Sequence, residues 1–285
     1  MPLPKVRIEA FRHRSFHETR EPPPAPWLDA YYRGLLSQFN LEVDLHPLEH
    51  GRNNDFLTMA TDVMASLQTD CALNDVGLFL MAHQTLDTYF PRQSTTTLLC
   101  RKFGIEGSAL ALTEQQLTSP YTALTILLAA LADDGFTGTG LLLVLDQATL
   151  PYKSRWNPEK NIDTALAMKL AVAPNGAGVS VAGRHYWTKD EPDVPWIMRC
   201  IHSYLDSCSL GLADVHVVAD NKLGQMIATA VQPAALSVAD ARHMSCAGLL
   251  CVIDVLSRGS AHVLLAHLAD DGHLYLFSFH RGDAD

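Results

Sequence analysis

The sequence lacks any cluster of basic residues. Of its 285 residues, 21 are Lys or Arg and 31 are Asp or Glu, which gives a formal net charge of −10. The Lys and Arg residues are scattered along the chain, whereas nucleic-acid binding requires several of them to neutralise neighbouring phosphates together. We therefore do not expect nucleic acid to be a ligand.

Long apolar runs are also missing. No stretch reaches the roughly 18 uninterrupted apolar residues that a membrane span needs, and the opening Met-Pro-Leu-Pro-Lys-Val-Arg has no apolar segment after its basic residues, as a signal peptide would. We expect a cytoplasmic protein that does not bind membranes. At 48% hydrophobic residues, the chain is long enough to bury a large core.

Cysteine pairs with the C-x-x-C spacing of zinc or redox sites are absent, so all six cysteines are expected to be reduced packing residues. Histidine pairs four residues apart occur only at His13/His17 and His46/His50, in a proline-flanked region with little reason to be helical. We predict neither a metal site nor a cofactor. The cysteines are Cys71, Cys100, Cys200, Cys208, Cys246 and Cys251.

What the chain does contain is hydrophobic periodicity that changes between strand and helix. The proline-rich run at 21–26 is expected to block regular structure, and Asn53, Asn54 or Asp55 is placed to cap the next helix. The predicted helices are 56–67, 92–103, 120–131, 195–210, 222–230 and 246–256, and the predicted strands are 5–11, 76–82, 108–112, 141–145, 215–218, 261–268 and 273–279.

The order of these elements in the first half, about 1–160, is similar to their order in the second half, about 161–285. Two βαβ-rich halves of this kind predict one internally duplicated α/β layer structure rather than two independent domains. We therefore treat residues 1–285 as a single domain.

Four short motifs between residues 72 and 146 occur in an order and at a spacing that resemble the ketoacyl-ACP synthase III family of the thiolase superfamily. The resemblance implies a thiolase-like fold with layers in the order α/β/α/β/α. The C-terminal half resembles the same family more faintly, at 213–218 and 245–259. The four motifs are Asn74-Asp75-Val76-Gly77-Leu78, Tyr89-Phe90-Pro91, Phe103-Gly104-Ile105-Glu106-Gly107 and Tyr121-Thr122-Ala123-Leu124.

The same resemblance implies a catalytic triad. In the family, a Cys at the start of a buried helix attacks the acyl thioester, and a His and an Asn stabilise the oxyanions. In this sequence the three positions hold Leu117, Ala219 and Arg242. None of these side chains suits a Claisen condensation, so we expect the chain to be inactive by itself.

Neighbouring motifs of the family are altered as well. The Asn that follows the family's His falls on Lys222, or on Asn221 one register away. Thr118 and Ser119 are the hydroxyl residues nearest to Leu117, and we expect one of them to be the helix N-cap rather than a displaced nucleophile. Glycine loops that approach the thioester in the family appear here at 162–165 and 268–271 without their glycines.

An inactive copy suggests a partner. The family dimerises through the short strand before the nucleophile, and its Phe-Pro turn enters the other subunit's acyl pocket. We therefore expect a non-catalytic subunit that forms a heterodimer or heterotetramer with an active ketosynthase III-like enzyme in fatty-acyl, polyketide or related specialised-metabolite biosynthesis. The alkylquinolone synthase with its inactive subunit is such a pair, and an acyl carrier protein is a further candidate partner. The residues implied are Ser108, Leu110 and Leu112 in the strand and Tyr89, Phe90 and Pro91 in the turn.

Two alternatives remain open. His243, Ser245 and Cys246 cluster near the old Asn position and would serve an acyltransferase with a relocated active site, although a helix-capping Ser245 and a packed Cys246 explain them too. Alternatively, the chain is a homodimeric acyl- or carrier-binding protein. The histidines of the last strands are expected to face polar surroundings, and His267 matters only if it points into the former active site.

Overall fold

The computed structural model describes residues 6–20, 26–38, 42–44, 46, 51–85, 87, 94–113, 116–150, 160–172, 178–188, 190–230 and 235–282. Tyr89, Phe90 and Pro91 lie outside these residues. The strands are β1 (Val6–Phe16), β2 (Val76–Ala82), β3 (Ser108–Leu112), β4 (Thr139–Asp146), β5 (Asp163–Val172), β6 (Val179–Trp187), β7 (His216–Ala219), β8 (Ala235–Val238), β9 (His262–Leu268) and β10 (His273–Arg281). The helices are α1 (Pro26–Ser37), α2 (Phe56–Gln68), α3 (Thr95–Phe103), α4 (Ser119–Leu131), α5 (Val194–Ser207), α6 (Asn221–Ala230) and α7 (Ala247–Ser257).

The ten strands form one sheet in the order β3-β2-β4-β5-β1-β6-β10-β9-β7-β8. Read from its two ends, this is the same five-strand pattern twice, β3-β2-β4-β5-β1 and β8-β7-β9-β10-β6. In each half the first three strands are parallel and the fourth is antiparallel to both of its neighbours. β1 and β6 join the halves, with Val6 opposite Val181. The predicted duplication is therefore confirmed.

Three hydrophobic clusters define the layers. The central cluster packs α4 and α7 between the inner faces of the two half-sheets. A second cluster packs α2 and α3 on the outer face of the first half, and a third packs α5 and α6 on the outer face of the second half. The arrangement is the expected α/β/α/β/α order, and the central helices are apolar on nearly all sides because sheets cover them from both directions.

Local sequence signals set several helix ends. The Asp55 carboxylate accepts a hydrogen bond from the Thr58 backbone N–H at 2.8 Å and caps α2 as expected. The α3 helix begins at Thr95, three residues later than predicted, because Ser94 supplies its N-cap. It ends where Gly104 adopts a left-handed conformation with φ of +67°.

Four elements have no counterpart in the sequence prediction, namely α1, β5, β6 and β8. The α1 helix begins at Pro26, so the proline run ends in a helix rather than blocking structure throughout. In the part of the chain that the structure describes, no helix is long and apolar enough to cross a bilayer.

Candidate functional site

The three expected triad positions lie at one edge of the sheet. Leu117 lies in a 3₁₀ turn (Gln116–Thr118) directly before α4, and Ala219 is the last residue of β7. Arg242 lies in a 3₁₀ segment (Ala241–Cys246) before α7, which packs against that turn. The Ala219 carbonyl accepts a hydrogen bond from the Ala239 N–H at 2.9 Å, just before this segment. The fold thus brings the three backbone positions together.

Their side chains offer no catalytic group. Leu117 and Ala219 are aliphatic, and Ala219 is fully buried. The Arg242 guanidinium is exposed and donates to both carboxylate oxygens of Asp240, at 3.0 Å from Nε to Oδ1 and 2.6 Å from Nη2 to Oδ2. That hydrogen bonding lowers the pKa of Asp240. A nucleophile, a general base and a neutral oxyanion donor are absent from these three positions.

The first turn of α4 also differs from its expected capping. Thr118 precedes the helix in a right-handed helical conformation and makes no side-chain capping bond. Ser119 is already the first helical residue, and its hydroxyl is buried with no hydrogen-bond partner among the described residues. Thr118 therefore occupies the predicted N-cap position, but its side chain makes no capping bond.

A buried carboxylate that the sequence prediction missed organises this edge. Asp146, at the end of β4, has none of its surface exposed. Its Oδ1 accepts from the backbone N–H groups of Gln84 at 2.7 Å and Thr85 at 2.9 Å, and its Oδ2 accepts from the Ser245 N–H at 2.9 Å. Asp146 therefore ties the ends of β2 and β4 to the segment before α7. The sequence feature that could have pointed to Asp146 is an aspartate directly after the apolar run 141–145.

Cys246, one member of the alternative cluster, is a packed thiol. It is completely buried, and its Sγ donates to the carbonyls of Val144 at 3.5 Å and Thr164 at 3.8 Å. Burial, aided by the charge of Asp146, raises the pKa of the Cys246 thiol well above its ordinary value. A protonated thiol that faces backbone carbonyls is poorly suited to attack a thioester.

The other two members of that cluster are not aligned with the thiol. His243 Nδ1 lies 3.0 Å from the Thr164 hydroxyl, and burial lowers the pKa of His243. The Ser245 hydroxyl is buried without a partner among the described residues, while its backbone N–H is held by Asp146. The expectation that Ser245 caps α7 is not met, because Cys246 is the residue directly before the helix and the Ser245 side chain makes no capping bond.

His267, at the end of β9, is buried at the same edge and faces a polar side chain. Its Nδ1 lies 3.2 Å from Asp220 Oδ2, and the Tyr121 ring packs at 4.6 Å from its imidazole. Burial alone would raise the pKa of Asp220, but the hydrogen bond and charge of His267, together with backbone N–H donors, lower it overall. The pair lies next to Ala219, since Asp220 follows it directly.

Tyr121 fills the space between the central helices near their first turns. A Cβ added to Gly248 of α7 would overlap the Tyr121 hydroxyl, so the ring and the α7 backbone are in direct contact. Burial raises the pKa of Tyr121. An aromatic ring from α4 and the backbone of α7 thus occupy this part of the molecule.

The segment in place of the family's terminal glycine loop is a tight turn between β9 and β10. The Ala269 N–H donates to the His273 carbonyl at 2.8 Å and the Gly272 N–H donates to the Ala269 carbonyl at 3.2 Å. Gly272 has φ of +85°, which glycine adopts readily. These backbone donors are used inside the hairpin, so they are not directed at a ligand.

All six cysteines are free, but only Cys200 and Cys246 are buried as expected of packing residues, and the other four are half-buried. Within the described ranges, no three His, Cys, Asp or Glu side chains are grouped in a way that could hold a metal ion. His262, His273 and His280 are partly or fully exposed, as expected for the last strands.

No family model matches the sequence, and no curated protein matches it either. Solved structures do match the fold. The chain superposes on ChlB3, described as an acyltransferase, with a TM-score of 0.67, 16% identity and 98% of both chains covered. It superposes on cerulenin-bound OleA from Xanthomonas campestris with a TM-score of 0.67 and 10% identity, covering 98% of this chain and 100% of that one.

A third match is FabH, the 3-oxoacyl-(acyl carrier protein) synthase III of Xanthomonas oryzae, with a TM-score of 0.66, 10% identity, and 98% of this chain and 100% of that chain covered. Identities this low establish architecture and leave activity open. Together with the duplicated sheet and the two central helices, they show that this chain has the thiolase-like fold of the ketoacyl-ACP synthase III type.

Proposed function

We propose that this chain is a non-catalytic ketosynthase III-like subunit that pairs with an active condensing enzyme. The observation that carries the proposal is that the fold brings Leu117, Ala219 and Arg242 together, and none of these three side chains is a nucleophile or a general base. Tyr121 adds to it, because its ring occupies the space between the first turns of the central helices. A condensing fold retained without condensing groups is best explained by a role in an assembly.

The β3 strand supplies a surface for such a partner. It is an edge strand whose neighbour in the described sheet is β2. It has no charged residue, Ser108 and Leu110 are exposed, Leu112 is half-buried, and 55% of the Leu110 surface is accessible. Unpaired apolar edges favour pairing with another strand. We propose that β3 pairs with the corresponding strand of the partner across a two-fold or pseudo-two-fold axis.

The segment Tyr89-Phe90-Pro91 is the second proposed contact with the partner. It lies outside the described residues, on the stretch between β2 and α3. We propose that Phe90 reaches across the interface and shapes the substrate pocket of the active subunit. The pair would act in fatty-acyl, polyketide or related specialised-metabolite biosynthesis, with an acyl carrier protein delivering the substrate.

The test is co-expression with a ketosynthase III-like enzyme, followed by native mass and a condensation assay with and without this chain. A complex with equal numbers of both subunits, whose activity depends on this chain and changes with Phe90→Ala, is the expected result. A stable homodimer that binds no ketosynthase would contradict the proposal. Thioester turnover by the chain alone, lost in Cys246→Ala, would instead support the relocated acyltransferase.

A matched pair of variants tests the interface. Leu110 on β3 and Val238 on β8 lie on the two opposite edge strands, with 55% and 48% of their surfaces exposed. We expect Leu110→Glu to abolish complex formation, because a charge would be buried between strands, while Val238→Glu leaves the complex intact. Equal loss in both variants, or in neither, would place the partner elsewhere.

A further inference from the structure

A groove outside the former active site lies between α4 and β6. Its volume is about 200 Å³, and its wall on α4 is formed by small or apolar residues of that helix. On the β6 side the Phe277 ring packs directly over Gly183, because a Cβ added to Gly183 would collide with that ring. The main lining residues are Val6, Thr125, Leu128, Ala129, Val181 and Gly183.

An aromatic surface continues from the groove along the same face of β6. Because side chains alternate along a strand, His185 and Trp187 follow Gly183 on that face. His185 Nε2 and His273 Nδ1 are 2.5 Å apart, and their rings lie within 1° of parallel, so the two imidazoles form one flat plate. Trp187 stands beside it, 6.2 Å from His273 and 52% exposed.

The Tyr275 ring covers one side of the plate and holds it in place. The Tyr275 ring stacks 4.7 Å from His185, and its hydroxyl lies 3.2 Å from the Thr122 hydroxyl on α4. Thr122 is one helical turn before Thr125 of the groove, so the same helix borders both parts. His185 is exposed and His273 is half-buried, which leaves the plate open to a ligand.

We propose that the groove and the plate together bind a small amphiphile that has a short alkyl tail and a planar aromatic head with a hydrogen-bonding group. The groove is smaller than the roughly 300–1,000 Å³ of sites that enclose a drug-sized ligand. Its size and its aliphatic lining therefore fit a tail rather than a whole cofactor. The head stacks on the imidazole plate next to Trp187, and a polar group at the rim of the head meets the outer nitrogen of His185, which lies in the plane of the plate.

This site does not depend on the proposed partner role. Its residues belong neither to the β3 edge nor to the positions Leu117, Ala219 and Arg242. It is nevertheless connected to the edge that holds Leu117, Ala219 and Arg242. The Tyr275 ring lies 6.0 Å from Tyr121, and Tyr121 packs against His267 at that edge.

The test uses purified full-length chain and 4-alkylphenols with butyl, hexyl and octyl tails, measured by calorimetry. Each added methylene is expected to strengthen binding about fourfold until the groove is full. 1-Octanol, which has the tail without the ring, should bind more weakly than 4-octylphenol. Fluorescence quenching should accompany binding and be much smaller in Trp187→Phe, while calorimetry still detects that variant's binding.

Two helix-surface alanines provide a matched pair of variants. Ala129 lines the groove and Ala228 lies on α6 away from it, and both are exposed. Ala129→Phe should weaken 4-octylphenol binding about fifteenfold or more, the equivalent of two methylenes, whereas Ala228→Phe should bind like the unaltered chain. Thermal unfolding checks that both variants are folded.

His185→Ala tests the head separately, because it should reduce the preference for 4-octylphenol over 1-octanol without changing the dependence on tail length. The proposal is overturned if none of the alkylphenols binds, if affinity does not rise with tail length, or if Ala129→Phe and Ala228→Phe bind equally well.

Discussion

The two halves have the same strand order but fix their central helices differently. In the second half, the start of α7 is tied to the first half by Asp146, which holds the Ser245 N–H, and by the Cys246 thiol on the Val144 carbonyl. Neither helix has a side-chain cap at its start, and the Ser119 hydroxyl at the start of α4 has no partner among the described residues. The two helix starts therefore differ in the contacts that tie α7 to the other half.

The largest effect is expected at Asp146. Asp146→Ala removes the acceptor of the backbone N–H groups of Gln84, Thr85 and Ser245 inside the protein. Since each unpaired buried donor costs about 1–3 kcal/mol, we expect the free energy of unfolding to fall by about 4 kcal/mol. Urea denaturation measures it. The control is Asp254→Ala on the α7 surface, which should change stability by less than about 0.5 kcal/mol, and equal losses would contradict the role of Asp146.

The outer faces of the two halves are also stabilised differently. The first has a buried lysine in ion pairs, and the second has a tyrosine hydroxyl in a hydrogen bond. Lys169 on β5 is 2% exposed and bonds Asp75 at 2.9 Å and Glu9 at 3.0 Å, whereas Tyr204 on α5 donates to the Ala182 carbonyl at 2.9 Å. We expect Lys169→Met to cost about 2 kcal/mol, less than the ~3–5 of a fully buried pair because both carboxylates are half exposed. Tyr204→Phe should cost about 1 kcal/mol, and a larger loss there would reverse this contrast.

The ion pairs of Lys169 also predict that stability depends on pH. Burial alone would lower the pKa of Lys169, but its hydrogen bonds to Asp75 and Glu9 raise it overall. A raised pKa in the folded state means that the stabilisation is complete below the unfolded value of about 10.4 and is lost as pH rises through the folded value. The stability difference between the unaltered chain and Lys169→Met should therefore be constant from pH 7 to 9 and shrink above about pH 10.4. A constant difference throughout would contradict this assignment.

An intermediate effect is expected where the two central helices meet. Alanine is favoured over glycine in a helix by about 1 kcal/mol, yet Gly248→Ala should destabilise the protein by about 1–2 kcal/mol, because its Cβ overlaps the Tyr121 hydroxyl. Removing that hydroxyl with Tyr121→Phe should relieve most of the cost. A double-mutant cycle measured by thermal unfolding tests this, and additive effects would show that the two residues do not interact.

The smallest effect is expected at the helix starts themselves. Ser119→Ala removes a buried hydroxyl that has no partner in the described structure, so we expect a gain of up to about 1 kcal/mol. Ser245→Ala should behave alike, because only its backbone N–H is bonded to Asp146. A loss of stability in Ser119→Ala alone would show that its hydroxyl has a partner and would remove part of the difference between the halves.

Continuous apolar runs and periodic helices were predicted well, whereas strands of mixed composition were missed. Both β2 and β3 match their predicted ranges, and α7 differs by one residue at each end. The β5 strand was missed because alanines and Lys169 alternate with larger apolar residues, so it lacks the continuous apolar run that marks β2. The β6 strand was missed because polar and apolar residues share both of its faces, as it joins the two halves at a largely exposed position.

The site was predicted in part. Counting along the family-like motifs placed Leu117, Ala219 and Arg242, and the fold brings these positions to one edge. Thr118 is at the predicted N-cap position but makes no capping bond, because the 3₁₀ turn before α4 holds it in a helical conformation. Asp146 and the His267–Asp220 pair were not predicted at all.

The sequence by itself determined the α/β class through its periodicity, and the resemblance to the ketoacyl-ACP synthase III family implied the layer order and the positions Leu117, Ala219 and Arg242. Only the tertiary structure decided which polar groups find partners and which surfaces stay open. Asp146 bonds residues 62 and 99 positions away, and the exposure of Leu110 depends on how strands are ordered in the sheet. Hydrogen-bond partners and burial are properties of long-range packing, which local sequence patterns do not encode.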